Sequence, residues 1–316
     1  MSVQCKAVVF DEFTNPEEAT VNVVDLPDIG EGEVLVKVKG AGVNPVDAAI
    51  IHGHLDGFME HDFPIIPGWD LAGVVEQTGY SARRFKTGDE VYAYARRPLV
   101  KWGTFAEYVV IPESYLAKKP ESISFDGAAG IPLVGLTAWQ SLHEAGNLEK
   151  GETVLILGGS GGVGSIAIQL AKAAGAKVIG VASEKNHAYM KELGADETAD
   201  YRDADVGNAV LNTHPDGVDL IFDCTNGKTL QQSLKALKKD GKLVSILNTG
   251  EDLDESIDHQ YVFVEPNSTQ LDELRKLVDN GKLSVHVSNT YPLEKTGSAL
   301  KQIQTLHTKG KIVIRP

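Results

Sequence analysis

The spacing of apolar positions along this chain changes near residue 122. Before that point, short runs alternate apolar and polar residues between Gly, Pro and Asp turns, as in half-buried β-strands. Strands are predicted at residues 34–39, 72–76, 90–94 and 104–110. One short helix is expected after Asn44, because Pro45 suits a first helical position. The first part of the chain is therefore predicted to be a β-rich domain.

Beyond residue 122, apolar strands alternate with segments of helical period. Strands are predicted at 153–157, 177–182, 218–223 and 242–247, and helices at 163–175, 184–193 and 227–238. This alternation indicates a parallel sheet covered on both faces, with its ligand beyond the carboxyl ends of the strands. The last part is predicted to contain helices at 269–280 and 294–308 and strands at 283–287 and 311–315. It can extend the sheet domain or return to the β-rich domain.

A glycine-rich turn, Gly158-Gly-Ser-Gly-Gly-Val-Gly164, joins the first of these strands to the first helix. Gly159, Gly161 and Gly164 fit the Gly-x-Gly-x-x-Gly pattern, in which the backbone approaches a pyrophosphate at a helix N-terminus. A glycine turn without a ligand is the alternative. The strand before it and the helix after it favour dinucleotide binding.

Composition narrows the class of protein. The 316 residues suit two domains, and 30 basic against 44 acidic residues give a formal net charge of −14. Such a charge disfavours nucleic acid and anionic membranes as partners. Two cysteines form neither a disulfide scaffold nor a zinc cluster. No apolar run suits a secretory signal or a membrane span, so a cytoplasmic protein is expected.

The end of the second strand of the sheet indicates which dinucleotide is bound. An acidic residue there favours NAD, whereas this chain has Val181-Ala-Ser-Glu-Lys185. Ser183 can donate to a 2′-phosphate, Lys185 can neutralise it, and Tyr201 can add a hydroxyl. These residues favour NADPH over NADH, although Glu184 keeps a carboxylate nearby. The alternative is that Ser183 caps the next helix and Lys185 is a solvated first-turn residue.

A set of motifs in fixed order resembles a known family. The motifs are Gly42-Val-Asn-Pro-Val-Asp47, Pro67-Gly-Trp-Asp-Leu-Ala-Gly73, Gly88-Asp-Glu-Val91, Gly103-Thr-Phe-Ala-Glu-Tyr108, Gly135-Leu-Thr-Ala-Trp139 and then the glycine turn. Together they resemble the medium-chain dehydrogenase/reductase superfamily, and within it the zinc-independent, zeta-crystallin-like quinone oxidoreductases. The resemblance covers essentially the whole chain.

The resemblance implies an α/β protein with two domains. Residues 1–122 and 266–316 would form a GroES-like β-barrel catalytic domain, and residues 123–265 a Rossmann domain with a doubly wound parallel sheet. The cofactor would lie in the cleft between them. A homodimer is expected by analogy, through the strand near 242–247 or its neighbour.

The resemblance also implies roles for individual residues. Asn44 would lie near the nicotinamide and the substrate, and Thr137 would touch the cofactor. The pyrophosphate would be held by Ser160, Gly161, Gly162 and Val163, and the 2′-phosphate would be surrounded by Ser183, Lys185 and Tyr201. Thr225 and Asn226 would lie near the adenosine or the nicotinamide ribose, and Phe263 and Val264 would meet the carboxamide.

The chain departs from zinc-dependent members and from many quinone oxidoreductases. Asn44 stands in the region where the zinc enzymes need a cysteine, and Trp69-Asp70 stands where they have His-Glu. No metal is therefore expected. Many quinone oxidoreductases carry a tyrosine shortly after the Asn-Pro-x-Asp motif, where this chain has Ala48-Ala-Ile-Ile51. This change implies a wider or more apolar substrate pocket.

These features favour NADPH-dependent reduction of quinones or α,β-unsaturated carbonyls. Such acceptors need one or two hydrogen-bond donors at oxygen, and Asn44 is the candidate catalytic donor, although it can equally fix the turn before Pro45. Asp47 is a candidate proton relay or an early-helix residue. Trp69 and Tyr92 are candidates for the substrate pocket or for the core.

Other features leave alternatives open. His52, His54 and His61 with Asp62 are expected at the rim of the cleft rather than at a metal, and Cys224 is expected to be buried and inert. The alternative functions are a zinc-free reductase of another carbonyl and an NADPH-binding sensor or structural protein with little turnover.

Overall fold

The computed structural model describes residues 3–202 and 205–316 and divides the chain into two compact units. The first unit contains the chain up to Leu133 together with Pro266–Gly281 and Val285–Pro316, and the second contains Val134–Glu265 and Lys282–Ser284. The sequence places the first boundary at residue 122 instead. Residues 123–133 belong to the first unit because the helix Phe125–Ala129 packs mainly on its strands Glu33–Val43 and Asp70–Thr78.

The regular elements of the described residues follow in chain order. The strands are β1 Gln4–Val9, β2 Thr20–Asp25, β3 Glu33–Val43, β4 Glu60–Ile66, β5 Asp70–Thr78, β6 Glu90–Tyr94, β7 Leu99–Trp102, β8 Tyr108–Pro112, β9 Leu116–Lys118, β10 Thr153–Leu157, β11 Lys177–Val181, β12 Glu197–Ala199, β13 Val218–Asp223, β14 Leu237–Ser245, β15 Asp258–Tyr261, β16 Val287–Pro292 and β17 Lys311–Arg315. The α-helices are α1 Pro45–Ile51, α2 Phe125–Ala129, α3 Pro132–Trp139, α4 Gly162–Ala173, α5 His187–Glu192, α6 Val206–Thr213, α7 Gly227–Ser233, α8 Ser268–Asp279 and α9 Thr296–Gln304.

The first unit is built on a mostly antiparallel sheet with strand order β16-β17-β3-β5-β6-β9, and β8 also pairs with β3. The last strand of the chain, β17, pairs antiparallel with β3, so that Ile312 lies opposite Val43. The C-terminal segment therefore returns to the β-rich unit. This pairing also brings Lys311 beside the start of α1.

The C-terminal segment departs from the sequence prediction in one strand. The apolar alternation of residues 283–287 predicts a strand there, but β16 covers Val287–Pro292 and pairs with β17. Residues 288–291 of this edge strand are half-buried or exposed, so they lack the apolar pattern that identifies a buried strand.

The second unit is a six-stranded parallel sheet with strand order β12-β11-β10-β13-β14-β15. Leu155 and Leu157 on β10 and Ile221 on β13 belong to the buried apolar cluster on one of its faces. The helix predicted at 227–238 ends early, because Leu237 already pairs with Val218 in the sheet.

The pairing of β14 bears on the expected dimer. Residues 242–245 pair with β15 on one side and with β13 on the other, so this strand is not an edge. The edge on that side of the described sheet is β15, the neighbour of the strand that the sequence favours. Dimerisation through it stays a prediction.

In the described parts of the chain, no helix combines the length and apolarity needed to cross a membrane.

Candidate cofactor site and active site

The glycine turn of the second unit shapes a backbone surface open to a ligand. Gly158 has φ +82°, a conformation that favours glycine. A Cβ added to Gly164 would lie 2.3 Å from the carbonyl oxygen of Gly158, so α4 can pack on the turn only with glycine there. A Cβ at Gly161 would lie 3.4 Å from that oxygen, an ordinary van der Waals contact. Gly161 is therefore much less crowded than Gly164.

The helix that follows the turn supplies donors for an anion. α4 begins at Gly162, so the N–H groups of Gly162 and Val163 lack a carbonyl one helical turn earlier. Such N–H groups, with the positive end of the helix dipole, suit a pyrophosphate. The residues predicted for this role, 160–163, thus form the turn and the start of the helix.

The loop after β11 lies against this turn through Asn186. The amide nitrogen of Asn186 donates to Oγ of Ser160 at 3.0 Å and to Oγ of Ser183 at 3.3 Å. Ser183 is buried and does not cap the helical turn that follows it, contrary to the alternative reading of the sequence. Ser160 and Ser183 are therefore linked by an asparagine that the sequence pattern did not single out.

The ends of β11 and β12 are joined by a carboxylate. Asp200 accepts from the backbone N–H of Glu184 at 2.6 Å and from Nη2 of Arg202 at 2.7 Å. Its hydrogen bonds with Arg202 hold the pKa of Asp200 well below its usual range. Exposed Lys185 and Tyr201 consequently lie on two loops that are tied to each other. Arg202 adds a half-exposed cation that the sequence analysis missed.

At the carboxyl ends of β13 and β14, buried Asp223 fixes the next loop. Its Oδ1 accepts from the backbone N–H groups of Thr225 and Asn226, each at 2.9 Å, and its Oδ2 accepts from the Ser245 hydroxyl at 2.7 Å. Thr225 and Asn226 themselves are exposed, and Asn226 has φ +57°. Asp223 therefore fixes the backbone of Thr225 and Asn226, while their side chains stay exposed to a ligand.

The last predicted cofactor segment is hydrogen-bonded to Gln140, the residue directly after α3. Gln140, one turn after buried Thr137, donates to the carbonyl oxygen of Glu265 at 2.8 Å and accepts from its N–H at 2.9 Å. These two hydrogen bonds to the Glu265 backbone anchor the segment that carries Phe263 and Val264. Thr137 thus lies one helical turn from the residue that holds the predicted carboxamide segment.

In the first unit, Asn44 lies in a buried polar network with Asp70 and Lys311. Nδ2 of Asn44 donates to Oδ2 of Asp70 at 2.9 Å, while Nζ of Lys311 donates to Oδ1 of Asn44 at 2.5 Å. The ammonium also donates to the carbonyl oxygen of Val43 and lies 3.5 Å from the Asp70 carboxylate. A cation on one side and a carboxylate on the other fix the direction of the amide. Its second N–H is a donor that these contacts do not use.

Asp47 completes this network. It accepts from the backbone N–H of Asn44 at 2.7 Å, and burial, the largest effect, raises its pKa to about 8. Within the described residues, its Oδ1 is buried without a hydrogen-bond partner. Burial also raises the pKa of Asp70 and lowers that of Lys311, against their mutual attraction. Burial therefore favours the protonated form of Asp47.

Comparisons with known proteins agree with this architecture. Residues 30–121 match the alcohol dehydrogenase GroES-like domain, and residues 193–314 match the zinc-binding dehydrogenase family. The chain is 31% identical to the mitochondrial NAD(P)H oxidoreductase RTN4IP1 of Danio rerio, over 94% of this chain and 86% of that protein. It is 33% identical to the chloroplastic NADPH-dependent alkenal/one oxidoreductase of Arabidopsis thaliana, over 99% and 80%. The solved quinone oxidoreductase from Coxiella burnetii has a TM-score of 0.91 at 31% identity, covering 99% of this chain and 100% of that one.

The chain belongs to the medium-chain dehydrogenase/reductase superfamily. The family resemblance of the motifs is thereby confirmed, and so is the fold class, a GroES-like domain with a Rossmann-like parallel sheet. The relatives named as NAD(P)H oxidoreductases and quinone oxidoreductases support the assignment of this protein as an oxidoreductase.

Two aromatic residues proposed for the substrate pocket of this reductase lie in the core. Tyr92 is fully buried, and its hydroxyl donates to the carbonyl oxygen of Leu271 at 2.5 Å. Burial raises the pKa of Tyr92 further above its usual range. Trp69 is also buried, with its ring edge-on to Tyr94. Both positions match the core alternative that the sequence left open, so neither enters the function proposed below.

The histidines and the cysteine that the sequence analysis considered pack against neighbouring side chains or lie beside the sheet. The His52 ring stacks on His54, and His61 packs on Phe13. No group of three or more His, Cys, Asp or Glu side chains is arranged for a metal in the described parts of the chain. Cys224 is half-buried rather than buried as expected, and it lies one residue beyond the end of β13. Desolvation and the neighbouring Asp223 raise its pKa.

The raised pKa of Asp47 predicts a pH-dependent stability. The unfolded state releases this proton near pH 4, whereas the folded state keeps it to about pH 8. The free energy of unfolding should therefore fall by up to about 1.4 kcal/mol per pH unit across that window and level off above it. Asp47→Asn, which mimics the protonated acid, should lack this component.

Urea denaturation of wild type and variant at several pH values between about 5 and about 8 measures the effect. The variant should gain on the wild type as the pH rises. Asp11→Asn, at an exposed carboxylate in the same unit, is the control. If the difference in free energy of unfolding between Asp47→Asn and wild type does not change with pH, the raised pKa of Asp47 is wrong.

Proposed function

We propose that this protein is an NADPH-dependent reductase of quinones and α,β-unsaturated carbonyls that works without zinc. The observation that carries the proposal is the Asn44 amide, whose direction is fixed by Lys311 and Asp70 and whose second N–H these two contacts do not use. Relatives named as an alkenal/one oxidoreductase and a quinone oxidoreductase support the same acceptor class.

The residues of the second unit fit a phosphorylated dinucleotide. The uncrowded backbone at Gly161 and the N-terminus of α4 suit its pyrophosphate, and Ser183, Lys185 and Tyr201 would surround its 2′-phosphate. Thr137, Thr225, Asn226, Phe263 and Val264 are proposed for the remaining contacts. When bound, the reduced nicotinamide supplies a hydride to the acceptor.

The donor groups around Asn44 do not suit a zinc ion. Zinc in this superfamily would need cysteine and histidine, whereas these positions hold Asn44 and the pair Trp69-Asp70. The ammonium of Lys311 lies among them and already compensates the charge of Asp70. A divalent cation would have to displace this buried ammonium, so we assign the chemistry to a hydrogen bond rather than to a Lewis acid.

A hydrogen-bond donor suffices for an activated acceptor. When a quinone or enone receives hydride at carbon, negative charge moves to its oxygen, and a preorganised donor stabilises that charge. The Asn44 N–H takes this role, and water supplies the proton to the resulting enolate. Asp47 holds the backbone N–H of Asn44 and positions it. Unactivated alcohols and simple carbonyls would be poor substrates, since they need a stronger electrophilic catalyst.

The test is NADPH oxidation with a panel of quinones, enones, aldehydes and alcohols. Turnover should be confined to quinones and enones. Asn44→Ala should lower kcat about 10²–10³-fold while the NADPH dissociation constant changes little, because the donor acts on developing charge. Asn22→Ala, at an exposed position of the same unit, is the control and should behave as wild type.

Three results would contradict this proposal. NADPH binding without turnover on any acceptor would favour a sensor or structural protein. Preference for aldehydes or alcohols would indicate another carbonyl chemistry. An unchanged kcat in a folded Asn44→Ala variant would remove Asn44 from catalysis, and its thermal unfolding midpoint establishes that it is folded.

The choice of NADPH over NADH predicts a specific effect of Lys185. Lys185→Ala should weaken NADPH about 10-fold or more and leave NADH nearly unchanged, because an ammonium–phosphate hydrogen bond is charge-assisted. Lys191→Ala, an exposed lysine on α5, is the matched control and should change neither affinity. Isothermal titration calorimetry measures both cofactors. Equal losses for NADPH and NADH in Lys185→Ala would contradict a 2′-phosphate contact.

A further inference from the structure

Asn186 connects two parts of the cofactor site that are far apart in sequence. Ser160 lies in the glycine turn after β10, and Ser183 lies at the end of β11. The single amide nitrogen of Asn186 donates to both hydroxyl oxygens, at 3.0 Å and 3.3 Å. Asn186 is also the residue before α5, but its side chain does not cap that helix. Its amide nitrogen is instead hydrogen-bonded to the two serines.

These contacts determine what the two hydroxyls can do. A serine hydroxyl has one hydrogen to donate and two lone pairs that accept. When an amide N–H occupies a lone pair of each oxygen, each hydroxyl keeps its hydrogen for an acceptor. A phosphate oxygen is such an acceptor and cannot donate. The arrangement therefore presents two O–H donors, one in the predicted pyrophosphate turn and one in the predicted 2′-phosphate loop.

The backbone of the loop is held by other groups. The N–H of Asn186 donates to the carbonyl oxygen of Ser183 at 2.8 Å, and the His187 ring lies 3.2 Å from the carbonyl oxygen of Ala182. Asp200 holds the N–H of Glu184. Removing the Asn186 side chain should thus change the direction of the two hydroxyls more than the path of the loop.

We propose that Asn186 is the residue that positions Ser160 and Ser183 as donors and thereby sets the preference for NADPH over NADH. The inference rests on the proposed cofactor. Both cofactors share the pyrophosphate, so both use Ser160, whereas the 2′-phosphate that Ser183 recognises belongs to NADPH alone. Loss of Asn186 reduces affinity for both cofactors, and for NADPH more.

Calorimetry with NADPH and NADH tests this difference. Asn186→Ala should weaken the binding of NADPH about 10- to 30-fold and that of NADH about threefold. The difference arises because NADPH loses a hydrogen bond to its 2′-phosphate as well as one to its pyrophosphate, whereas NADH loses only the second. Asn186→Asp should weaken NADPH about 100-fold or more, because a carboxylate draws the hydroxyl hydrogens towards itself and repels the phosphate. A role confined to folding would not change the ratio of the two affinities.

A double-mutant cycle separates positioning from independent contacts. In a Ser183→Ala background, the effect of Asn186→Ala on NADPH should shrink to its effect on NADH, because the hydroxyl that it positions is gone. Asn212→Ala, at an exposed position on α6, should bind both cofactors as wild type does. If Asn186→Ala does not fold, Asn186→Ser keeps a short polar side chain before α5 but cannot reach both hydroxyls, and it should show the same loss of discrimination.

The outcomes distinguish this inference from the proposed function. Wild type that binds NADPH no better than NADH would refute the proposed cofactor. Wild type that prefers NADPH, with folded Asn186 variants that keep the same preference or with additive effects in the cycle, would refute the role of Asn186 alone.

Discussion

The first unit depends on the buried ion pair between Lys311 and Asp70, into which the Asn44 amide is inserted. All three side chains are almost completely excluded from solvent, and they come from chain segments far apart in sequence. Burying two charges is costly unless they are paired and hydrogen-bonded, and removing one partner of such a pair typically costs about 3–5 kcal/mol. The return of β17 to β3 is what places Lys311 there. The same contact therefore ties the C-terminal strand to the start of α1 and orients the proposed catalytic amide.

In the second unit, the problem is how a negatively charged chain binds a negatively charged ligand. The chain has a net charge of −14, yet the proposed ligand is a polyanion. Binding must therefore rely on local donors: the backbone at the start of α4, the hydroxyls of Ser160 and Ser183, and the cations Lys185 and Arg202. Asp200 and Asp223 are turned inward to accept from backbone N–H groups, so these two carboxylates hold loops in place.

The sequence predicted those features that depend on local pattern. β10, β13 and β17 begin and end where the apolar runs do. A short apolar run with glycine or polar residues at both ends is a clear signal for a buried strand. The glycine turn was recognised because its conformation and close packing require particular glycines. The ordered motifs identified the family, and the comparisons confirmed it.

Partners across the fold could not be predicted in this way. Lys311 in a C-terminal apolar strand gives no sign that it contacts Asn44, and Gln140 gives none that it holds Glu265. Asn186 is one polar residue among several at a helix start. Tyr92 was ambiguous because a large aromatic side chain suits a pocket and a core equally, and only the packing against α8 decides. The strand at 287–292 escaped detection because its exposed residues carry no apolar pattern.

The central claim is that hydride passes from NADPH to a carbon atom of an electron-poor acceptor without help from a metal. The most direct test uses NADPH in which both C4 hydrogens are deuterium, an α,β-unsaturated ketone and a metal chelator, with mass spectrometry of the product. The account predicts full activity and one deuterium at the β-carbon of each product molecule. A product without deuterium, or activity that disappears with the chelator, would contradict it.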